Sequence, residues 1–227
     1  MNHELQGLYP FLNGGRIDEA ALQAGLLEST RRKADDSVEA KRAFFAAHAK
    51  QVVEVARSLA SVYRKGGRLF CAGNGGSSCD AAHITVEFLH PFTSGRPALA
   101  ATNFGADNAM LTAVANDVGF GHVFVRQLIA LARAGDALVV VSTSGNSENL
   151  LAACAQARKL GMVTIALSGG DGGKLARSAD VDHCLTVGSD SIHRVQETHV
   201  AIYHIVWDLV HTLLADTRGR AGASAAP

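Results

Sequence analysis

Apolar positions along this chain keep two rhythms. Over residues 37–64, Phe44, Phe45, Val52, Val53, Val55, Ala56 and Leu59 recur near helical spacing, with Ser37 placed to cap the helix and Gly66-Gly67 to stop it. From residue 68 onward, short apolar runs alternate with helical stretches. Strands are expected at 68–72, 98–101, 137–141, 162–167 and 181–187, and helices at 78–89, 107–115, 122–134, 147–160 and 191–214.

Strands separated by helices of ten or more residues imply a parallel sheet with right-handed crossovers, so the expected fold class is an α/β three-layer sandwich around a central parallel sheet. Residues 37–215 are expected to form this single domain. Residues 1–36 read as an N-terminal helical appendage, with a helical patch at 20–33 and a charged break at 33–36. The Gly-, Ala- and Ser-containing tail, 216–227, is expected to be disordered.

Charge narrows the partners. The 227 residues carry 21 basic and 21 acidic side chains with no long block of one sign, which argues against nucleic acid. Apolar runs are too short for a membrane span. The opening MNHELQGLYPFLNGGR does not read as a secretion signal, and Cys71, Cys79, Cys154 and Cys184 form no CxxC pair. A cytoplasmic protein with reduced thiols is expected.

Candidate chemistry lies in the loops after two strands. Gly73-Asn74-Gly75-Gly76-Ser77-Ser78 lets a backbone approach an anion, and Ser142-Thr143-Ser144-Gly145-Asn146-Ser147 places four hydroxyls between a buried strand and a helix. Ser and Asn also favour helix caps and turns, but two such loops at the carboxyl ends of parallel strands point to a phosphate. Neither loop is a nucleotide fingerprint, so no nucleotide cofactor is expected and a simple phosphate ester is favoured. The glycines at 169–173 read as a tight turn.

On the helix after the first loop, His83 and Glu87 stand four residues apart and share a face. Such a pair makes an ordinary surface contact, or binds a divalent metal, or divides acid and base roles. The last helix carries Gln196, Glu197, His199, His204, Asp208 and His211 among apolar residues. Helix geometry sets Glu197 within about 20° of His204 and Gln196 about 80° away, which favours Glu197 as its neighbour. His199 and His211 read as exposed or hydrogen-bonded helix residues.

The segments GNGGSSCDAAH, Glu87, Asn116-Asp117-Val118-Gly119-Phe120, STSGNS, GGDGG and RVQETH with His204 beyond, taken in order, resemble the sugar isomerase (SIS) domain, and within it the phosphoheptose isomerases. The resemblance implies a homotetramer with active sites at subunit interfaces. It implies interconversion of sedoheptulose 7-phosphate and D-glycero-D-manno-heptose 7-phosphate through an enediol, with Glu87 and His204 as the acid/base pair. Family members can hold zinc, and the matching ligands are His83, Glu87, Gln196 and His204. Ser77, Ser142, Ser144 and Ser147 match a phosphate clamp that the backbones of Gly75 and Gly76 adjoin, and Asn74, Asp117 and Thr143 match contacts along the sugar. Two segments differ from the family's pattern: His193 stands where Asp is usual, and Phe88-Leu89-His90-Pro91 where a basic residue follows the glutamate. Other expectations are a non-catalytic SIS protein that binds a partner protein, like the replication-initiation regulators, and a sugar-phosphate sensor. Glu87 and His204, which those regulators lack, favour the enzyme.

Overall fold

A computed structural model describes residues 19–92 and 95–223 of the chain. It divides into two units, residues 1–38 and 39–227. The described part of the first unit, residues 19–38, is helical and exposes Leu22, Leu26 and Leu27. Helix α1 (Glu19–Arg64) is continuous, so the break expected at 33–36 and the start expected at Ser37 are both replaced by unbroken helix. Lys33 and Ala34 are good helix formers, Asp costs well under about 1 kcal/mol per position, and extending an existing helix is cheap.

The second unit alternates as expected: β1 (Leu69–Gly73), α2 (Gly76–Leu89), β2 (Ala101–Asn103), α3 (Asn108–Asp117), α4 (Val123–Leu131), β3 (Ala137–Ser142), α5 (Glu148–Lys159), β4 (Val163–Gly169), α6 (Gly173–Arg177), β5 (His183–Val187) and α7 (Ile192–Ala223). β2 starts three residues later than its apolar run. The Leu99 N–H goes to the Phe88 carbonyl at the end of α2, so the ladder opens only at Ala101. α7 continues to Ala223, where disorder was expected from 216. A helix already several turns long propagates at little cost per residue. Residues 224–227 of that tail, like residues 1–18 of the appendage, lie outside the described residues.

All strand pairs are parallel, in the order β2-β1-β3-β4-β5. β3 shows why the sheet needs cover on both sides: Ala137, Val139 and Val141 enter one core, Leu138 and Val140 the other. The first core is closed by α1, α2 and α7, and the second by helices α3 to α6. The connection after β1 runs over one face to β2, and the connection after β2 crosses the other face to β3. The chain therefore reverses its winding between β1 and β3, and the crevice above their carboxyl ends is where an open parallel sheet takes a ligand.

Candidate active site

The loops after β1 and β3 meet at that reversal, because Gly73 pairs in register with Val141. Asn74 and Asn149 clasp them together: each side-chain amide donates to the other's oxygen at 2.9 Å. Helices α2 and α5 start from the two loops, and neither receives a side-chain cap, although Ser147 occupies the capping position of α5. The Ser147 hydroxyl instead lies 3.1 Å from that of buried Ser142. Capping therefore does not account for the hydroxyls here, and both helix starts present their positive ends at one place.

The glycines at 169–173 are more than the turn expected. A Cβ on Gly145, whose φ is +63°, would stand 2.0 Å from the Gly172 carbonyl, and one on Gly169 2.6 Å from that of Thr143. The first turn of α6 donates into the β3 loop, from Leu175 to the Gly145 carbonyl and from Lys174 to Asn146 Oδ1. α6 itself is too short to leave a periodic signal in the sequence. The segment is a shelf against which the loop carrying Thr143 and Ser144 is held.

Elsewhere on the α2/α7 face, His83, Glu87 and His204 converge, with one ligand atom from each lying within 4.8 Å of the others. His83 and Glu87 come from successive turns of α2, with His83 Nε2 3.3 Å from Glu87 Oε1. The Tyr203 hydroxyl bonds His83 Nδ1 at 2.8 Å and so turns Nε2 toward the carboxylate. The His83 and His204 rings meet edge to face at 5.0 Å. His204 is held below the ordinary imidazole range, first by burial and then by the charge of His83, against the opposing pull of Glu87. It is therefore a neutral imidazole near pH 7, able to give one proton and take another.

Gln196 stands at the first loop, since a Cβ on Gly76 would lie 2.4 Å from its Nε2. Glu197, the neighbour that helix geometry favoured for His204, is bound by Arg194 at 2.7 Å. Ser77 is buried at the start of α2. Asp117 is exposed at the end of α3, where it accepts from the Asn116 amide at 2.8 Å, and its described contacts do not join it to the loops. His199 is buried, with Nε2 3.0 Å from the Ser168 carbonyl, and burial pushes it down to about 4. His211 packs between Phe88 and Trp207.

Sequence reasoning passed over four side chains: Asp80, Asn149, Tyr203 and Trp207. Asp80 lies one turn before His83 and is buried, which pushes its carboxyl up to about 6 against the lowering effect of the His83 charge. Its place on the His83 face was readable from the spacing. Tyr203 and Trp207 read as core aromatics, and only tertiary contacts reveal their polar ends.

Three comparisons bear on this arrangement. The SIS domain model matches residues 34–169. Curated phosphoheptose isomerases include one from Thermodesulfovibrio yellowstonii, 39% identical over 83% of this chain and 93% of its own, and one from Chlorobium phaeobacteroides, 45% identical over 72% and 73%. Among solved structures, a phosphoheptose isomerase from Francisella tularensis superposes with a TM-score of 0.78 at 36% identity, covering 82% of this chain and 98% of that one. One from Neisseria gonorrhoeae gives 0.77 at 35% identity, covering 82% and 99%. Matched over nearly the whole length of those structures, with its histidine and glutamate cluster placed on helices of the same fold, the chain belongs to the SIS domain family and, within it, to the phosphoheptose isomerases.

Proposed function

We propose that this aldose–ketose isomerase interconverts sedoheptulose 7-phosphate and D-glycero-D-manno-heptose 7-phosphate, with Glu87 and His204 as its acid/base pair. The observation that carries the assignment is the convergence of a carboxylate and a neutral imidazole from helices more than a hundred residues apart in sequence. A ketose-to-aldose shift moves a carbon-bound proton between C1 and C2 and a hydroxyl proton between O1 and O2. Glu87 takes the carbon-bound proton, giving an enediol, and returns it to the neighbouring carbon. His204, neutral and bifunctional, relays the proton between the oxygens. The phosphate is held by Ser77, Ser142, Ser144 and Ser147 with the backbones of Gly75 and Gly76, while Asn74, Thr143, Asp117 and Gln196 face the sugar.

The donor set of His83, Glu87 and His204, two imidazoles and a carboxylate within reach of one another, fits zinc; Gln196, which the resemblance adds as a fourth ligand, has its amide at Gly76 and would reach that ion from another subunit. When bound, the ion supplies a Lewis acid that polarises the substrate's carbonyl oxygen.

The enzyme acts in the cytoplasm as a homotetramer whose active sites lie between subunits. Among the described residues, no helix is long and apolar enough to cross a membrane, and all four cysteines are free. Val86, Leu89 and Ile205, large apolar side chains on the helices that carry Glu87 and His204, are exposed on a single subunit.

The test is substitution. Glu87→Gln and His204→Asn are expected to lower turnover at least about a hundredfold, the scale of a lost general acid or base, while calorimetry still shows binding of the sugar phosphate. In deuterated water, Glu87→Gln should not exchange the proton beside the carbonyl. Wild-type exchange by that variant would overturn the assignment.

A further inference from the structure

The end of α2 lacks a donor that its sequence position requires. In a regular helix the Glu87 carbonyl would accept from the N–H four residues on, but that residue is Pro91, which has none. The next carbonyl, that of Phe88, is satisfied from outside the helix by the Leu99 N–H at 2.8 Å. For Glu87 the substitute comes from α7: Trp207 Nε1 donates to its carbonyl at 2.8 Å. Trp207 stands one turn after His204 on the same helix, so one hydrogen bond joins the backbone that carries the carboxylate to the helix that carries the imidazole.

The indole is itself fixed. Arg96, from the segment between α2 and β2, lays its guanidinium 4.5 Å from the centre of the Trp207 ring and pairs with the carboxylate of Asp208. The His211 ring lies 5.0 Å from the indole, centre to centre, and Trp207 is 9% exposed. A tryptophan needed only for its volume would leave the direction of its N–H open. Here the ring is oriented so that the N–H reaches the carbonyl orphaned by proline.

We propose that Trp207 is a positioning residue for Glu87, and that Pro91 and Trp207 act as a pair: proline removes the helix's own donor, and the indole supplies it from the partner helix, fixing the distance between Glu87 and His204. The proposal rests on the acid/base reading of those two residues and on no contact between Trp207 and substrate.

The test uses the full-length enzyme. Trp207→Phe keeps the ring stacked under Arg96 and removes the N–H. Its kcat is expected to fall about ten- to a hundredfold, the range that a displacement near 1 Å produces. KM for the sugar phosphate should stay within about twofold, because the phosphate loops are untouched. Pro91→Ala in the Trp207→Phe background returns an N–H to the Glu87 carbonyl within α2 but no bond to α7, so the loss of kcat is expected to persist. An unchanged kcat in Trp207→Phe, or a loss that Pro91→Ala restores, showing that the carbonyl needed only a partner and not a tie to α7, would overturn the proposal, with thermal unfolding checking that both variants are folded. Full activity of Glu87→Gln would instead strike the acid/base reading beneath it, so the two failures are distinguishable.

Discussion

Histidines in this protein divide by what burial does to them. His204 is kept neutral but stays only partly buried beside His83 and Glu87, whereas His199 is sealed in the core with one ring nitrogen on the Ser168 carbonyl and is pushed down to about 4. Because its folded-state value lies below the ordinary 6.5, the unfolded chain binds the proton first, and the folded state loses stability as pH falls from about 6.5 toward 4. His199→Gln keeps an N–H for the carbonyl and removes the titration. Relative to the parent, its stability is expected to improve by about 2 to 3 kcal/mol between pH 7 and pH 4.5. Urea midpoints of both proteins at the two pH values check this, and parallel shifts would show that His199 does not titrate there. The comparison with the parent cancels Asp80, whose raised carboxyl acts with the opposite sign across an overlapping range.

At the scale of elements, the reciprocal amide pair of Asn74 and Asn149 ties the start of α2 to the start of α5. Asn149→Ala leaves the Asn74 amide without its partner beside a buried position, and is expected to cost about 1 to 3 kcal/mol. It should raise KM more than it lowers kcat, since it loosens the loops and leaves Glu87 and His204 alone. Steady-state kinetics beside denaturant unfolding separate the two effects. Strand and helix order was legible because β1, β3 and β4 are buried on both faces and read as apolar runs, while the helices between them keep a helical period. Missed features were those that local pattern does not encode: the unbroken α1, the five-residue α6, and β2 displaced by a hydrogen bond from Leu99 to α2. The choice between Gln196 and Glu197 is beyond helix geometry for the same reason. An angle on one helix carries no information about Arg194 claiming Glu197 or about Gly76 leaving room for Gln196.

At the scale of the whole molecule, the distance between the phosphate loops and the acid/base pair decides how the site is assembled. Eleven residues of α2 separate Gly76 from Glu87, about 16 Å of helix at 1.5 Å per residue. The Glu87 side chain leans back toward the loops and shortens that gap, so the arrangement turns on which subunits face each other. In the proposed tetramer one subunit's loops would serve another subunit's Glu87, with the exposed Val86, Leu89 and Ile205 beside the pair offered to the neighbour. Two inactive variants should then complement. Subunits carrying Glu87→Gln keep intact loops, and subunits carrying Ser142→Ala, Ser144→Ala and Ser147→Ala together keep an intact acid/base pair. Co-expressed and purified as mixed tetramers, they bring good loops against a good pair at some interfaces. At substrate concentrations well below the parent's KM, mixed tetramers are expected to exceed the summed activity of the two homotetramers several-fold. Activity no greater than that sum, with mass spectrometry showing that mixed tetramers formed, would place loops and pair in one subunit.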